Sequence, residues 1–76
     1  MKYLVEAFYK ETDFQAFVVE LPQDCDVQIK SIMGWTRNQQ GWEGYNLSQL
    51  QLSAIEKIIG RPIYDSDHYF QLTCNG

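Results

Sequence analysis

Residues 2–21, "KYLVEAFYKETDFQAFVVEL", decide the fold. The runs 2–10 and 14–21 are rich in aromatic and β-branched side chains and read as strands. Only "ETD" separates them, so the two strands pair as an antiparallel hairpin. Side chains alternate along a strand. Tyr3, Val5, Ala7 and Tyr9 therefore share one face, and Leu4, Glu6 and Phe8 share the other. Neither face is plainly wet, and the rest of the chain must supply a cover for at least one of them.

Two helices follow. Pro22 ends the second strand by removing a ladder donor, and Asp24 is placed to cap a first helix. Cys25, Ile29, Ile32 and Met33 fall on one stripe of that helix, with Asp26 and Lys30 as an i, i+4 pair outside it. Gly34 suits a left-handed end, leaving Trp35 just beyond. The "SQLQ" from Ser48 is a capping box that opens a second helix. Leu50, Leu52, Ala54, Ile55, Ile58 and Ile59 spread over a broad apolar arc, and Gly60 with Pro62 ends it. The segment 68–74, "HYFQLTC", alternates Phe70, Leu72 and Cys74 against Tyr69, Gln71 and Thr73, which makes it a third strand. The expected fold is α+β: one two-layer domain over residues 1–76, order β-β-α-α-β, a three-stranded antiparallel sheet with both helices on one face. If Leu4 and Phe8 lie on the other face among neighbouring aromatics, that face is an apolar patch of the kind monomers reserve for partners.

Composition narrows the function. A chain of 76 residues sits near the size at which a single core leaves only a few kcal/mol of net stability, so large apolar side chains are structural first. Ten acidic against six basic residues give a charge of −4 with no cluster of Lys and Arg. Direct nucleic-acid binding normally requires a basic patch, so it is disfavoured, whereas an acidic surface complements a basic protein. Glu6 interrupts the first residues, no small-residue cleavage site follows, and no stretch reaches transmembrane length, so neither a secretory signal nor a membrane span is expected. The expectation is a cytoplasmic protein in which Cys25 and Cys74 are free, buried thiols.

No residue pattern calls for catalysis. His68, with Asp65 and Asp67 in "YDSDHYF", is the nearest approach to a metal or acid–base site, but the spacing is equally that of an ordinary Asx turn. Cys74 and His68 share a strand face yet lie about 20 Å apart at the usual rise. There is no Gly-rich phosphate loop, no CxxC and no paired metal-ligand motif. Neither an enzyme, a metal nor a cofactor is expected.

The loop at 37–46, "RNQQGWEGYN", has no helical or strand period, yet it carries Trp42 and Tyr45. Either the two rings fold back as a lid on the core, or Gly41 and Gly44 let the backbone present Trp42, Glu43 and Tyr45 to a partner. On the second reading the partner-binding residues are Trp42, Glu43 and Tyr45, with Asp65 and Asp67 adding negative charge.

Taken together, "LVEAFYKETD", the "VELP" before the first helix and the ending "GRPIYDSDHYFQLTC" resemble small acidic bacterial immunity proteins. These are encoded beside toxins of contact-dependent inhibition or bacteriocin-like systems. The resemblance implies an antitoxin that binds one cognate toxin, a basic nuclease domain in the leading case, in the cytoplasm of the producing cell. The alternative is a small structural or regulatory domain that forms a weak homodimer through its uncovered sheet face.

Overall fold

In the computed structural model the described residues are 2–35 and 44–75. They form an α+β domain with six elements in the order β1 (Lys2–Tyr9), β2 (Gln15–Glu20), α1 (Asp26–Met33), β3 (Gly44–Asn46), α2 (Gln49–Ile59) and β4 (His68–Asn75). The sheet has four strands in the order β2-β1-β4-β3, and every neighbouring pair is antiparallel.

The expected sheet had three strands, and the fourth is a correction. β3 is only three residues long, so it shows no alternation that a sequence pattern can register. It forms because Gly44, Tyr45 and Asn46 pair with Thr73, Leu72 and Gln71 on the exposed side of β4. Pairing with a preformed neighbour makes this strand, with little help from intrinsic propensity.

The hairpin forms as expected. Its turn closes through Tyr9 N–H to the Phe14 carbonyl (2.9 Å) and Asp13 N–H to the Tyr9 carbonyl (2.8 Å). Asp13 takes the left-handed conformation (φ 63°) that this tight return requires. A bulge between the Ala7 and Phe8 pairings places one extra residue in β2.

The core lies between the sheet and the helices. Tyr3, Val5 and Ala7 of β1, Val19 of β2, and Phe70, Leu72 and Cys74 of β4 are buried on the helix-covered face, against Ile29 of α1 and Leu52 and Ile55 of α2. Cys25 and Cys74 are both free and buried. α2 starts at Ser48, whose hydroxyl accepts from Gln51 N–H while the Gln51 side chain accepts from Ser48 N–H. Gly34 (φ 71°) and Gly60 (φ 90°) end the two helices in left-handed caps.

Three local expectations differ from the structure. Asp24 does not cap α1: it sits at φ 64°, the N-cap is Cys25, and the Cys25 thiol donates to the Pro22 carbonyl (3.2 Å). Asp26 does not pair with Lys30; its carboxylate accepts the Tyr3 hydroxyl at 2.7 Å, a bond that fastens α1 to β1. Leu50 is 85% exposed, because at the helical angle per residue it stands on the side of α2 opposite Leu52 and Ile55, beside the exposed Ser53 and Lys57.

The opposite sheet face is also unlike the expected apolar patch. Leu4 and Phe8 do lie on it, and Phe8 stacks on Tyr69 at 5.3 Å. Its centre, however, is Glu6, whose carboxylate accepts from the Gln15 amide (2.7 Å) and from the Thr73 hydroxyl. Gln71 donates to Asn46 (3.0 Å), and Lys2 pairs with Glu20 (3.1 Å). A hydrogen-bonded polar net is stable against water without a second layer.

Two outcomes test this packing. Ile55 is fully buried, so Ile55→Ala should cost about 2–5 kcal/mol, whereas Leu50→Ala should change stability by less than about 0.5 kcal/mol; urea unfolding of both variants reads the contrast. The second outcome is alkaline sensitivity. Burial first, then the Asp26 carboxylate, pushes both the Tyr3 phenol and the Cys25 thiol above their ordinary ranges. The folded protein thus holds these protons to higher pH than the unfolded chain does. Their stabilisation is complete below about pH 8.5 for the thiol and about pH 10 for the phenol, and is lost as pH rises beyond those values. Urea midpoints should fall from pH 8 to pH 11, and Tyr3→Phe should flatten the part of the fall above pH 10.

Candidate functional site

The hairpin turn and the segment entering β4 meet at one end of the sheet. Lys10 N–H donates to the Asp67 carbonyl (3.0 Å), and the Tyr69 hydroxyl donates to the Asp13 carboxylate (3.0 Å). The two turns, 10–13 and 64–67, carry four exposed carboxylates, Glu11, Asp13, Asp65 and Asp67, against the single ammonium of Lys10. Tyr9, Lys10, Glu11, Ser66, Asp67 and His68 line a groove between them of about 390 Å³.

The second turn is positioned from α2. Glu56, one turn after Leu52 on the same side of α2, reaches past the Gly60 cap, and its Oε2 accepts the N–H groups of Ile63 (2.7 Å) and Tyr64 (2.8 Å). This fixes residues 63–64 so that Ile63 is buried and the Tyr64 ring lies 6.3 Å from Phe70. Asp65 then closes an Asx turn, its Oδ1 accepting from Asp67 N–H at 2.6 Å. The Asp-Ser-Asp run is thus turn chemistry that leaves the Asp67 carboxylate facing water.

Aromatic rings floor this end. His68 sits 4.8 Å from Tyr9, 5.6 Å from Phe17 and 6.3 Å from Phe70, centroid to centroid. Tyr9 and Tyr64 are about half exposed, Phe17 is 36% exposed, and Phe14, at the mouth of the hairpin, is 73% exposed. His68 Nδ1 is 3.5 Å from Asp65 Oδ1, within reach of an ion pair but without hydrogen-bond geometry. Both ring nitrogens are shielded from water and have no hydrogen-bond partner among the described residues. The imidazole packs as a ring among Tyr9, Phe17 and Phe70. Among the described residues no group of three His, Cys, Asp or Glu side chains is arranged to hold a metal ion.

The structure brings Asp65 and Asp67 together with each other and with Glu11 and Asp13. It does not bring Tyr45 to them. Tyr45 is half-buried on β3 opposite Leu72, with its ring 5.0 Å from Trp35, and Leu72 lies four residues along β4 from His68, about 13 Å at the usual rise. Trp42 and Glu43 lie outside the described residues. Glu11, Asp13, Tyr9, Phe14, Phe17 and Tyr64 were not singled out by the sequence reading. Tyr9 carried a usable signal, since it continues the buried face of β1 past the last small residue, Ala7. The meeting of two turns 50 residues apart carried none.

The fold and this end define a two-layer α+β domain with an acidic, aromatic surface at the hairpin end of its sheet. The chain belongs to a family described as a domain of unknown function, DUF7683, whose model matches residues 2–73. No curated protein and no solved structure matches it.

The aromatic floor yields a direct test. Because both His68 nitrogens are sequestered without a partner, His68→Phe should leave stability unchanged or raise it by about 1 kcal/mol, while His68→Asp should lower it by at least about 2 kcal/mol. Thermal melts at pH 7 distinguish this from a functional histidine, whose replacement by Phe would leave folding intact and abolish an activity.

Proposed function

We propose that the protein is an immunity-type antitoxin that binds and neutralises a basic toxin domain, with a nuclease as the leading class of toxin. The observation that supports this is the hairpin end of the sheet, where four carboxylates from two turns surround half-exposed aromatic rings. A nuclease presents a cationic cleft shaped for phosphates. Carboxylates spaced along a rigid surface fill such a cleft electrostatically, and Tyr and Phe rings beside them provide apolar contact at low entropy cost. The family resemblance of the strand, turn and C-terminal segments points the same way.

On this reading the protein acts in the cytoplasm of the cell that makes the toxin, and it acts by occupation. Asp67 and Glu11 provide charge, and Tyr9, Tyr64 and Phe14 provide contact; Trp42 and Glu43, named from the sequence as partner-binding residues, are part of the same proposal. Asp65 has a dual role, because its carboxylate also holds the turn.

The test is titration of the protein encoded beside this one, by calorimetry in about 50 mM salt. Asp67→Lys and Glu11→Lys should each weaken binding more than tenfold while leaving the melting temperature within about 2 °C of wild type, since neither carboxylate supports the fold. Unchanged affinity in both variants would move the interface away from this end. Raising salt from 50 to 300 mM should slow association in wild type far more than in either variant.

A further inference from the structure

We propose that the outer edge of β2 is a second docking surface, on which an extended basic segment of the partner adds as a fifth strand. The inference rests on the basic-partner reading above and names how such a partner is held.

Among the described residues the sheet order leaves β2 at an edge. Leu21 N–H donates to the Tyr3 carbonyl (3.0 Å), so the backbone groups of Leu21 and, by alternation, Val19 and Phe17 face β1. Those of the intervening Val18 and Glu20 face outward, giving two donors and two acceptors in one row. Natural sheets protect such edges with Lys, Pro or an inward charge. The six residues of β2, "QAFVVE", contain neither Lys nor Pro; the bulge near Gln15 and the charge of Glu20 protect its two ends and leave Phe17 to Val19 between them. They place instead an exposed apolar side chain on each side of the strand, Phe17 toward the helix-covered face and Val18 (44% exposed) toward the polar face. Phe17 also contacts His68 and Phe70, so a docked strand would continue the aromatic floor of the hairpin end. Main-chain hydrogen bonds would supply affinity, and these flanking side chains specificity.

Charge selects the occupant. Glu20, paired with Lys2, lies at one end of the row, Glu6 lies directly across from Val18 on β1, and the turn leading into the other end carries Glu11 and Asp13 against Lys10, so carboxylates outnumber ammonium groups four to two. A second copy of this chain would have to pair antiparallel to β2, setting the Glu20 end of each against the Asp13 end of the other in a molecule of net charge −4. A strand carrying Lys or Arg at alternate positions meets complementary charge instead.

The experiment is a two-dimensional amide NMR titration of the full ¹⁵N-labelled chain with a capped eight-residue peptide alternating Lys and Val, and with its Glu–Val counterpart. The expected result is saturable shifts at the Val18 and Glu20 amides with the Lys–Val peptide alone, and at least tenfold slower hydrogen exchange at Val18. Shifts confined to residues 64–67, with Val18 and Glu20 unmoved, would overturn the edge site while leaving the basic-partner reading standing. No shift anywhere would overturn both. Shifts at Val18 and Glu20 that grow with protein concentration in the absence of peptide would overturn the choice of occupant in favour of a second copy. Val18→Pro removes an outward N–H at a position where edge strands tolerate proline. In a variant that melts normally the edge response should vanish while Val18→Thr retains it, and a response surviving in Val18→Pro would overturn strand addition. Should Val18→Pro fail to fold, exchange at Val18 in the wild-type titration decides alone, since unslowed exchange there overturns the proposal.

Discussion

The pairing of β1 with β4 is the constraint on which the rest depends. All eight residues of β1 find partners on β4, from Lys2 opposite Asn75 to Tyr9 opposite His68. The two ends of the chain thus form the centre of the sheet. Tyr3, Val5 and Ala7 lie beside Cys74, Leu72 and Phe70, and this six-residue floor is what α1 and α2 cover. β2 hangs from one side of the pair and β3 from the other. Closing a loop of almost the whole chain has an entropic cost that only the completed floor offsets, so no half of the molecule has a core of its own. The hydrogen bond from Tyr3 to Asp26 and the Glu56 contacts to Ile63 and Tyr64 then set each helix against that floor.

Segments whose signals are local were legible. The β1–β2 hairpin follows from two apolar runs and a short polar break, α2 from its capping box and terminal glycine, and β4 from strict alternation. The buried thiol of Cys25 followed from a helical wheel. What escaped depended on contacts distant in sequence. β3 exists because β4 offers an open ladder. Asp26 turned to Tyr3, 23 residues away, because a hydroxyl at the sheet surface is a better partner than a solvated ammonium one turn along. Leu50 was counted into too broad an apolar arc: it stands across the helix from Leu52 and Ile55 and so faces water.

The acidic end was half legible for the same reason. Asp65 and Asp67 stood out beside the only histidine of the sequence. Their association with Glu11 and Asp13 arises from the antiparallel register of β1 and β4, which sets Tyr9 against His68 and so places the residues after one beside the residues before the other. His68 stood out by residue type; in the structure its ring packs among Tyr9, Phe17 and Phe70, and among the described residues neither ring nitrogen has a hydrogen-bond partner.

Element lengths explain why this end is available at all. A strand of eight residues spans about 26 Å, whereas α1, with eight residues, is about 12 Å long and α2, with eleven, about 16 Å. Two such helices cannot cover the whole floor. α1 is fastened at the Tyr3 end through Asp26, and Tyr9 and His68 lie at the opposite end of the paired strands. Side chains there must shield one another from water. Small aliphatic residues would leave a gap, while Phe17, Tyr64 and His68 close over Phe70 with their own rings, Tyr9 packs on His68, and Phe70 is left only 4% exposed. The shield cannot itself be shielded, so its outer surfaces remain half wet. A small domain therefore acquires an aromatic surface from the geometry of its layers, and the carboxylates of the two adjoining turns give that surface its sign.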